Sequence, residues 1–385
     1  MTFRIPAPPT LRHWAFGALL LFPLWEAHAA EPRLVRDIGE TTVKPFFMEL
    51  YPERLRTVGS VTFFVGRDAQ HGFELWKTDG TPGGTALVKD IHPGCEAAHT
   101  SLFVPRRSSS PTNLLEMDGT LFFIADDGSH GLELWKSDGT REGTRIVKDI
   151  YPGGGNGVTT LNFNYPYGYV AVPVFSAAPL NGQLYFQAND GLGGYELWRT
   201  DGLDAGTTRV VDMIPGSFSG GAAFLTPMAG RLYFRAAHDK YGDDRELWRS
   251  DGTDAGTTRV ANINPAEQAA SNPQDLVVAG EWLFFSADDG ASGRELWVSN
   301  GEEAGTRRVA DINPGAAGSN PRLLTPAGDA LYFVADDGAH GIELWRSDGL
   351  TAQMVADIRP GAASSEPDHL TPLDGAVIFA ANDGV

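Results

Sequence analysis

The chain is expected to be all-β: a seven-bladed β-propeller of four-stranded antiparallel blades, the last lacking its third strand. Three observations predict this. The triplet Glu-Leu-Trp occurs six times, beginning at Glu74, Glu133, Glu196, Glu246, Glu295 and Glu343. The copies are 59, 63, 50, 49 and 48 residues apart, and a unit recurring near 48 residues marks a repeat architecture. Each unit holds four short runs of Leu, Val, Ile, Tyr, Phe and Trp separated by Gly, Asp and Pro, the composition of a four-stranded blade.

From the N-terminus, residues 1–30 read as an export signal. Arg4 and Arg12 precede the apolar stretch Trp14 to Trp25, and Ala27-His28-Ala29 places small residues where a signal peptidase reads. The apolar run is about 12 residues, short of the ~20 that a spanning helix needs. An uncleaved anchor is the competing reading. Residues 31–385 then form one propeller domain, beginning with Leu34-Val35-Arg36-Asp37-Ile38, a copy of the last strand of a repeat (Leu87-Val88-Lys89-Asp90-Ile91).

The sixth copy shows the unit. Arg322-Leu323-Leu324-Thr325-Pro326 leads through Gly328-Asp329 into Ala330 to Ala335. Asp336-Asp337-Gly338 breaks that run before Gly341-Ile342-Glu343-Leu344-Trp345-Arg346. Ser347-Asp348-Gly349 turns again, and Met354 to Ile358 closes the unit. Asp-Gly suits tight hairpins because the turn needs a positive φ that Gly adopts without a clash. A blade is covered on both faces, so Leu121-Phe122-Phe123-Ile124 and Leu331 to Val334 read as central strands. Trp76, Trp135, Trp198, Trp248, Trp297 and Trp345 read as apolar filling between blades.

A seventh unit begins at Leu370 and reaches Asn382-Asp383-Gly384, with no Glu-Leu-Trp strand after it. A weakened, partly open seam beside the first blade is expected; tight pairing of residues 34–38 with 377–381 is the alternative.

Net charge is −19 at pH 7. Without residues 1–30 the balance is 28 basic to 48 acidic residues. Such a surface repels nucleic acid and anionic lipid. Cys95 is the only cysteine, so the chain has no intramolecular disulfide, and the usual structural zinc spacings are absent.

The string Glu-Leu-Trp-Lys-Ser-Asp-Gly-Thr-Arg-Glu-Gly-Thr, residues 133 to 144, resembles the signature of the bacterial ELWxxDGT-repeat proteins, over about residues 58 to 385. The resemblance implies a propeller and an exported location, and brings no catalytic residues. Asn300-Gly301-Glu302 departs from Asp-Gly-Thr in the fifth copy, and Leu203 and Leu350 replace Thr in the third and sixth.

A residue that recurs in every copy is expected to be architecture, and chemistry is sought where copies differ. The pairs ending in Asp127, Asp289 and Asp337 suggest calcium, which takes several oxygen ligands. Yet only the second Asp recurs in all seven units, which fits a side chain closing its own turn, and the turn is the favoured reading. The Glu of each triplet is read as a hydrogen-bonded or solvent-facing strand residue, because one per blade spreads the carboxylates too far apart for paired catalysis. His71, His130 and His340 share one loop position and read as surface residues. No nucleophile elbow, metalloprotease helix or phosphate loop is present, and no cofactor is expected.

Two insertions break the period, near 92–113 and 153–178. The first holds Arg106 and Arg107, the second Tyr165, Tyr167 and Tyr169. Both follow the same strand of their repeats and should emerge together, and such insertions are where binding residues concentrate. Rings for stacking and amides for hydrogen bonding suit a glycan or protein partner. The expected role is a non-catalytic recognition or scaffold module, secreted, periplasmic or at the cell surface. A polysaccharide lyase or hydrolase with a site in the central channel, and a structural calcium-binding envelope protein, are the alternatives.

Overall fold

The computed structural model describes residues 2–5, 53–68, 70–94, 108–158, 176–239, 244–266 and 269–385. It is a β-propeller. Six four-stranded antiparallel sheets follow one another along the chain, each a simple meander. We call their strands inner, second, third and outer. The first blade comprises Glu53–Val58, Val61–Asp68, Gly72–Thr78 and Ala86–Lys89; the second, Thr112–Met117, Thr120–Asp126, Leu132–Ser137 and Arg145–Ile146. The third comprises Ala177–Leu180, Gln183–Asn189, Tyr195–Thr200 and Thr208–Arg209; the fourth, Ala223–Met228, Arg231–Ala237, Arg245–Ser250 and Thr258–Ala261. The fifth comprises Gln274–Ala279, Trp282–Asp288, Arg294–Ser299 and Arg307–Arg308; the sixth, Arg322–Ala327, Ala330–Asp336, Ile342–Ser347 and Ala352–Ala356. The seventh sheet is the hairpin Asp368–Leu373 and Ala376–Ala380 with Thr2–Ile5 along its far edge. Among the described residues the only helix is the 3-10 turn Glu303–Gly305, and no helix is long and apolar enough to cross a membrane.

The core lies between blades. Six hydrophobic clusters each join two consecutive sheets, from Phe63, Leu75, Leu121, Phe123 and Trp135 between the first and second to Tyr332, Leu344, Val377 and Phe379 between the sixth and seventh. The second strands are buried on both faces as expected: Leu121, Phe122, Phe123 and Ile124 are at most 2% exposed. Trp76, Trp135, Trp198 and Trp345 are buried, and Trp248 and Trp297 are half-buried. None of the six indole N–H groups has a hydrogen-bond partner among the described residues. The residue therefore serves by its apolar bulk.

A second interlock joins the blades at the Asp-Gly turn after each third strand. Lys77 Nζ donates to Gly139 O at 2.8 Å, Arg199 Nη1 to Gly252 O at 3.1 Å and Arg249 Nη1 to Gly301 O at 2.9 Å, each reaching the next blade. Where that position does not donate, a cation near the outer strand does: Lys148 Nζ reaches Asp204 Oδ1 at 2.9 Å, and Arg307 Nη2 reaches Gly349 O at 2.6 Å. Gly252, at φ +90°, leaves the space a Cβ would fill to the Tyr185 hydroxyl of the preceding blade. The departures from the repeat are absorbed locally. Asn300 Oδ1 still accepts Glu302 N at 3.0 Å, and Thr207 Oγ1 still donates to Leu203 O at 2.7 Å.

At the seam the first blade's face is uncovered. Leu55 is 60% exposed, whereas Leu114, Leu225, Leu276 and Leu324 at the equivalent position are at most 9% exposed. Among the described residues no cluster joins the seventh sheet to the first. Residues 34–38 lie outside the described residues. The edge of Ala376–Ala380 is taken instead by Thr2–Ile5, with Phe3 opposite Phe379 and Arg4 opposite Ile378.

Candidate functional site: the inner-strand bulges and the channel mouth

The recurring polar residues prove to be structural. Each triplet Glu is fully buried at 0% exposure, which corrects the solvent-facing half of the sequence reading and bears out the hydrogen-bonded half. The carboxylate holds the crossover from its own outer strand to the next blade. Glu246 accepts Ile263 N at 2.9 Å, Ser271 N at 3.1 Å and Ser271 Oγ at 2.6 Å. Glu74, Glu295 and Glu343 bind Ser109, Ser319 and Ser365 in the same way. In the second and third blades the serine is replaced by Gly157 and Gly220. Glu133 then keeps Tyr151 N at 3.2 Å and Gly157 N at 3.0 Å, while its Oε2 is buried without a partner among the described residues. Burial pushes its carboxyl up to about 8 and that of Glu196 to about 7, the backbone N–H donors opposing the shift. Burial is the dominant cause in both.

The recurring Asp closes its own turn. Asp127 Oδ1 accepts Ser129 N at 2.8 Å and His130 N at 2.9 Å; Asp337 Oδ1 accepts Ala339 N at 2.9 Å and His340 N at 2.8 Å. Asp289 Oδ1 takes Ala291 N and Ser292 N. The second oxygen faces a ring or guanidinium nitrogen: His130 Nδ1 at 2.8 Å, His340 Nδ1 at 2.7 Å, or Arg308 Nη1 at 3.6 Å. Burial works to raise these carboxyls, but the hydrogen bonds outweigh it and hold all three below their ordinary value. Among the described residues no group of three or more His, Cys, Asp or Glu is disposed to hold a metal ion.

Variation is concentrated on the inner strands. Their blade-to-blade contacts run around the axis, and most carry a bulge near their start. The second residue of the bulged strand has a positive φ without being glycine: Asn113 at 54°, Phe224 at 58°, Asp275 at 56°, Leu323 at 53° and His369 at 55°. A non-glycine residue held there costs of order 1–2 kcal/mol. One backbone position thus carries a different side chain in each of these five blades.

At the junction of the fourth and fifth blades this ring becomes charged. Arg235, on the fourth blade's second strand, is 8% exposed. Its guanidinium lies 5.0 Å from the Phe224 ring centre. Arg294, at the start of the fifth blade's third strand, donates from Nη1 to Asn272 O at 3.0 Å, Ser286 O at 3.0 Å and Ser286 Oγ at 3.1 Å. Burial raises the carboxyl of half-buried Asp275 above the usual range, against the opposing pull of the Arg294 and Arg235 charges. Two guanidiniums and a carboxyl with increased proton affinity make this junction the charged departure from the repeat. Further round, Arg322 Nη2 meets Glu366 Oε2 at 3.2 Å and His369 Nδ1 meets Asp368 Oδ2 at 3.3 Å.

The ligand residues expected from sequence, Arg106, Arg107, Tyr165, Tyr167 and Tyr169, lie outside the described residues. Both insertions do occupy the same crossover, from outer strand to next inner strand, in adjacent blades. Arg235, Asp275 and Arg294 were missed. Their signal was available as departures from the repeat: Arg235 carries a charge where other copies have Val65, Ile124, Gln187, Ser286 or Val334, and Asp275 where they have Asn113 or Leu323.

No protein-family model matches the chain, and no curated protein matches it. Among solved structures it is similar to puromycin hydrolase at 13% identity, covering 86% of this chain and 50% of that one, with a TM-score of 0.42. It is similar to prolyl oligopeptidase B from Galerina marginata at 11% identity, covering 79% and 42%, TM-score 0.44. The β-propeller domain of the Trilobed protease from Pyrococcus furiosus is 11% identical, with 80% and 98% covered and a TM-score of 0.36. The chain spans about half the length of the hydrolases or less.

Proposed function

We propose that this chain is an exported, non-catalytic recognition or scaffold module of the ELWxxDGT-repeat type, binding glycan or protein at the bacterial cell envelope or outside the cell. One observation carries the reading: every residue that recurs with the repeat is consumed in holding turns, crossovers or blade contacts. Adaptable chemistry is left to the inner-strand bulges and to two insertions rising from neighbouring crossovers. Arg106, Arg107, Tyr165, Tyr167 and Tyr169 are the insertion residues assigned to ligand contact, and no resident cofactor is invoked. The test is capture from a glycan array and from cell-surface extract by the chain and by a variant with 153–178 shortened to the length of the regular crossover. Capture lost on shortening supports the reading and locates the surface; capture retained in full removes the insertion from it.

A second reading has its own support. Arg235 of the fourth blade and Asp275 and Arg294 of the fifth stand at non-identical repeat positions at one blade junction, and their charges act on one another, the kind of convergence an enzyme acting on polysaccharide would use. Polysaccharide cleavage abolished by Asp275→Asn, with folding unchanged, is the result that would favour it.

A further inference from the structure

The second oxygen of the loop Asp finds its nitrogen partner in two different ways. In the first, second and sixth blades the partner stands three residues further along the same loop. His71 Nδ1 meets Asp68 Oδ2 at 2.7 Å, His130 Nδ1 meets Asp127 Oδ2 at 2.8 Å, and His340 Nδ1 meets Asp337 Oδ2 at 2.7 Å. In the third and fifth blades the partner comes from the outer strand. Arg209 Nη1 lies 3.9 Å from Asp190 Oδ2, and Arg308 Nη1 lies 3.6 Å from Asp289 Oδ2. The fourth blade also uses an outer-strand arginine: Arg259 Nη1 is 3.3 Å from Asp244 Oδ2, an oxygen that His238 Nδ1 shares at 3.0 Å.

The two arrangements alternate with the sequence. The outer-strand residue opposite the triplet Trp is Leu87, Ile146 or Met354 in the histidine blades. It is Arg209, Arg259 or Arg308 in the third, fourth and fifth. Where the arginine is present in the third and fifth blades, the loop position of the histidine is Gly193 or Ser292, whose backbone N–H still reaches the Asp. The arginine also serves the crossover, with Nη2 at 3.4 Å from Asp212 Oδ2 and at 3.7 Å from Asp311 Oδ2. In the second and sixth blades the imidazole alone answers both acids: Asp127, Asp149 and Glu133 act on His130, and Asp337, Asp357 and Glu343 on His340. From the first blade, the His92 ring lies against Gly128 of the same loop and Lys89 acts on Asp127.

We propose that the ring is divided into a proton-responsive sector, the loops of the first, second and sixth blades, and a fixed sector, those of the third to fifth. A guanidinium stays charged at any working pH, whereas an imidazole changes charge between about pH 5 and 8. The neutral imidazole can keep the hydrogen bond from its Nδ1–H tautomer, but it loses the charge that offset the carboxylates. The bond to Asp raises the His130 and His340 imidazoles above their ordinary 6.5. Their charged contribution is therefore fully present below about pH 6.5 and is lost as pH rises through the raised value. Both crossovers that carry insertions leave the outer strands of responsive blades, so protons would tune the recognition surface from its base. That use rests on the recognition reading; the division of the ring does not.

The test is amide hydrogen exchange of the full chain at pH 6.0 and 8.5, each rate taken relative to its intrinsic value at that pH. Loops 68–72, 126–131 and 336–341 should lose about threefold in protection at the higher pH, the size of one exposed ion pair. Loops 189–194 and 288–293 should change by less than about 1.5-fold. Two exchanges of device carry the proof. His130→Ser/Ile146→Arg should flatten the response of loop 126–131 and leave the other two histidine loops unchanged, and Ser292→His/Arg308→Ile should install a response in loop 288–293. His130→Gln, which keeps a donor but cannot titrate, should flatten loop 126–131 even if the double variants fail to fold. An equal pH response in all five loops, or a response of loop 126–131 that survives His130→Gln, overturns the proposal. A divided response in a chain that captures nothing would keep the sector and sink the recognition reading; capture by a chain with a uniform response would do the reverse.

Discussion

Glu133 and Glu74 occupy equivalent positions in adjacent blades and differ by one hydroxyl, that of Ser109. The Glu133 carboxyl, pushed up to about 8 from 4.5, binds its proton more tightly in the fold than in the unfolded chain. Its contribution is therefore fully present below about pH 4.5 and is lost as pH rises toward about 8. Glu133→Gln should match the parent in thermal unfolding at pH 4.5 and exceed it by about 2 °C or more at pH 8.5. Glu74→Gln should be less stable than the parent at both values by about 1–3 kcal/mol, because an amide N–H₂ would face the Ile91 N–H or the Ser109 hydroxyl. Parallel behaviour of the two variants would contradict the assignment. The turn aspartates make a separate prediction: with their oxygens committed to backbone N–H groups and to neighbouring imidazole or guanidinium nitrogens, the Tm should be indifferent to millimolar calcium and to EDTA. A rise of several degrees with calcium would restore a metal role to Asp127, Asp289 and Asp337.

At the scale of elements, cations reach from one blade to the turn of the next, and this should register in stability. Arg249→Ala loses its bond to Gly301 O and its contact with Glu302, and should cost about 1 kcal/mol in urea unfolding. Arg346→Ala, which breaks no such bond, should stay within about 0.5 kcal/mol. Gly252→Ala should be worse than Gly230→Ala. Both have positive φ, but only at Gly252 does a Cβ meet a side chain, the Tyr185 hydroxyl, whereas Gly230 has nothing within 4 Å. Much of this level was legible in the sequence. Strand identity, turn chemistry and the burial of Leu121 to Ile124 follow from local pattern, because hairpin neighbours are close along the chain. The crossover role of the Glu was not legible: Glu246 and Ser271 are 25 residues apart, and only the returning chain shows that the carboxylate is enclosed. The charges at the junction of the fourth and fifth blades escaped for the same reason, since Arg235 and Asp275 belong to different blades.

For the whole molecule, the six inter-blade clusters make stability a sum of neighbour contacts interrupted at one seam. Leu55 at 60% exposure marks that break, and the first blade should exchange its amide hydrogens faster than the fourth or fifth. The chain is acidic, and its departures from the repeat fall in two adjacent crossovers and at the starts of the inner strands. The most direct measurement is capture of surface-extract components by the chain in which Tyr165, Tyr167 and Tyr169 are all replaced by Ala, alongside an Asp275→Ala variant of matched Tm. The account predicts that capture falls at least about tenfold in the tyrosine variant and persists in the other. Full capture by the tyrosine variant, with loss in Asp275→Ala, would contradict it and move the site to the central channel.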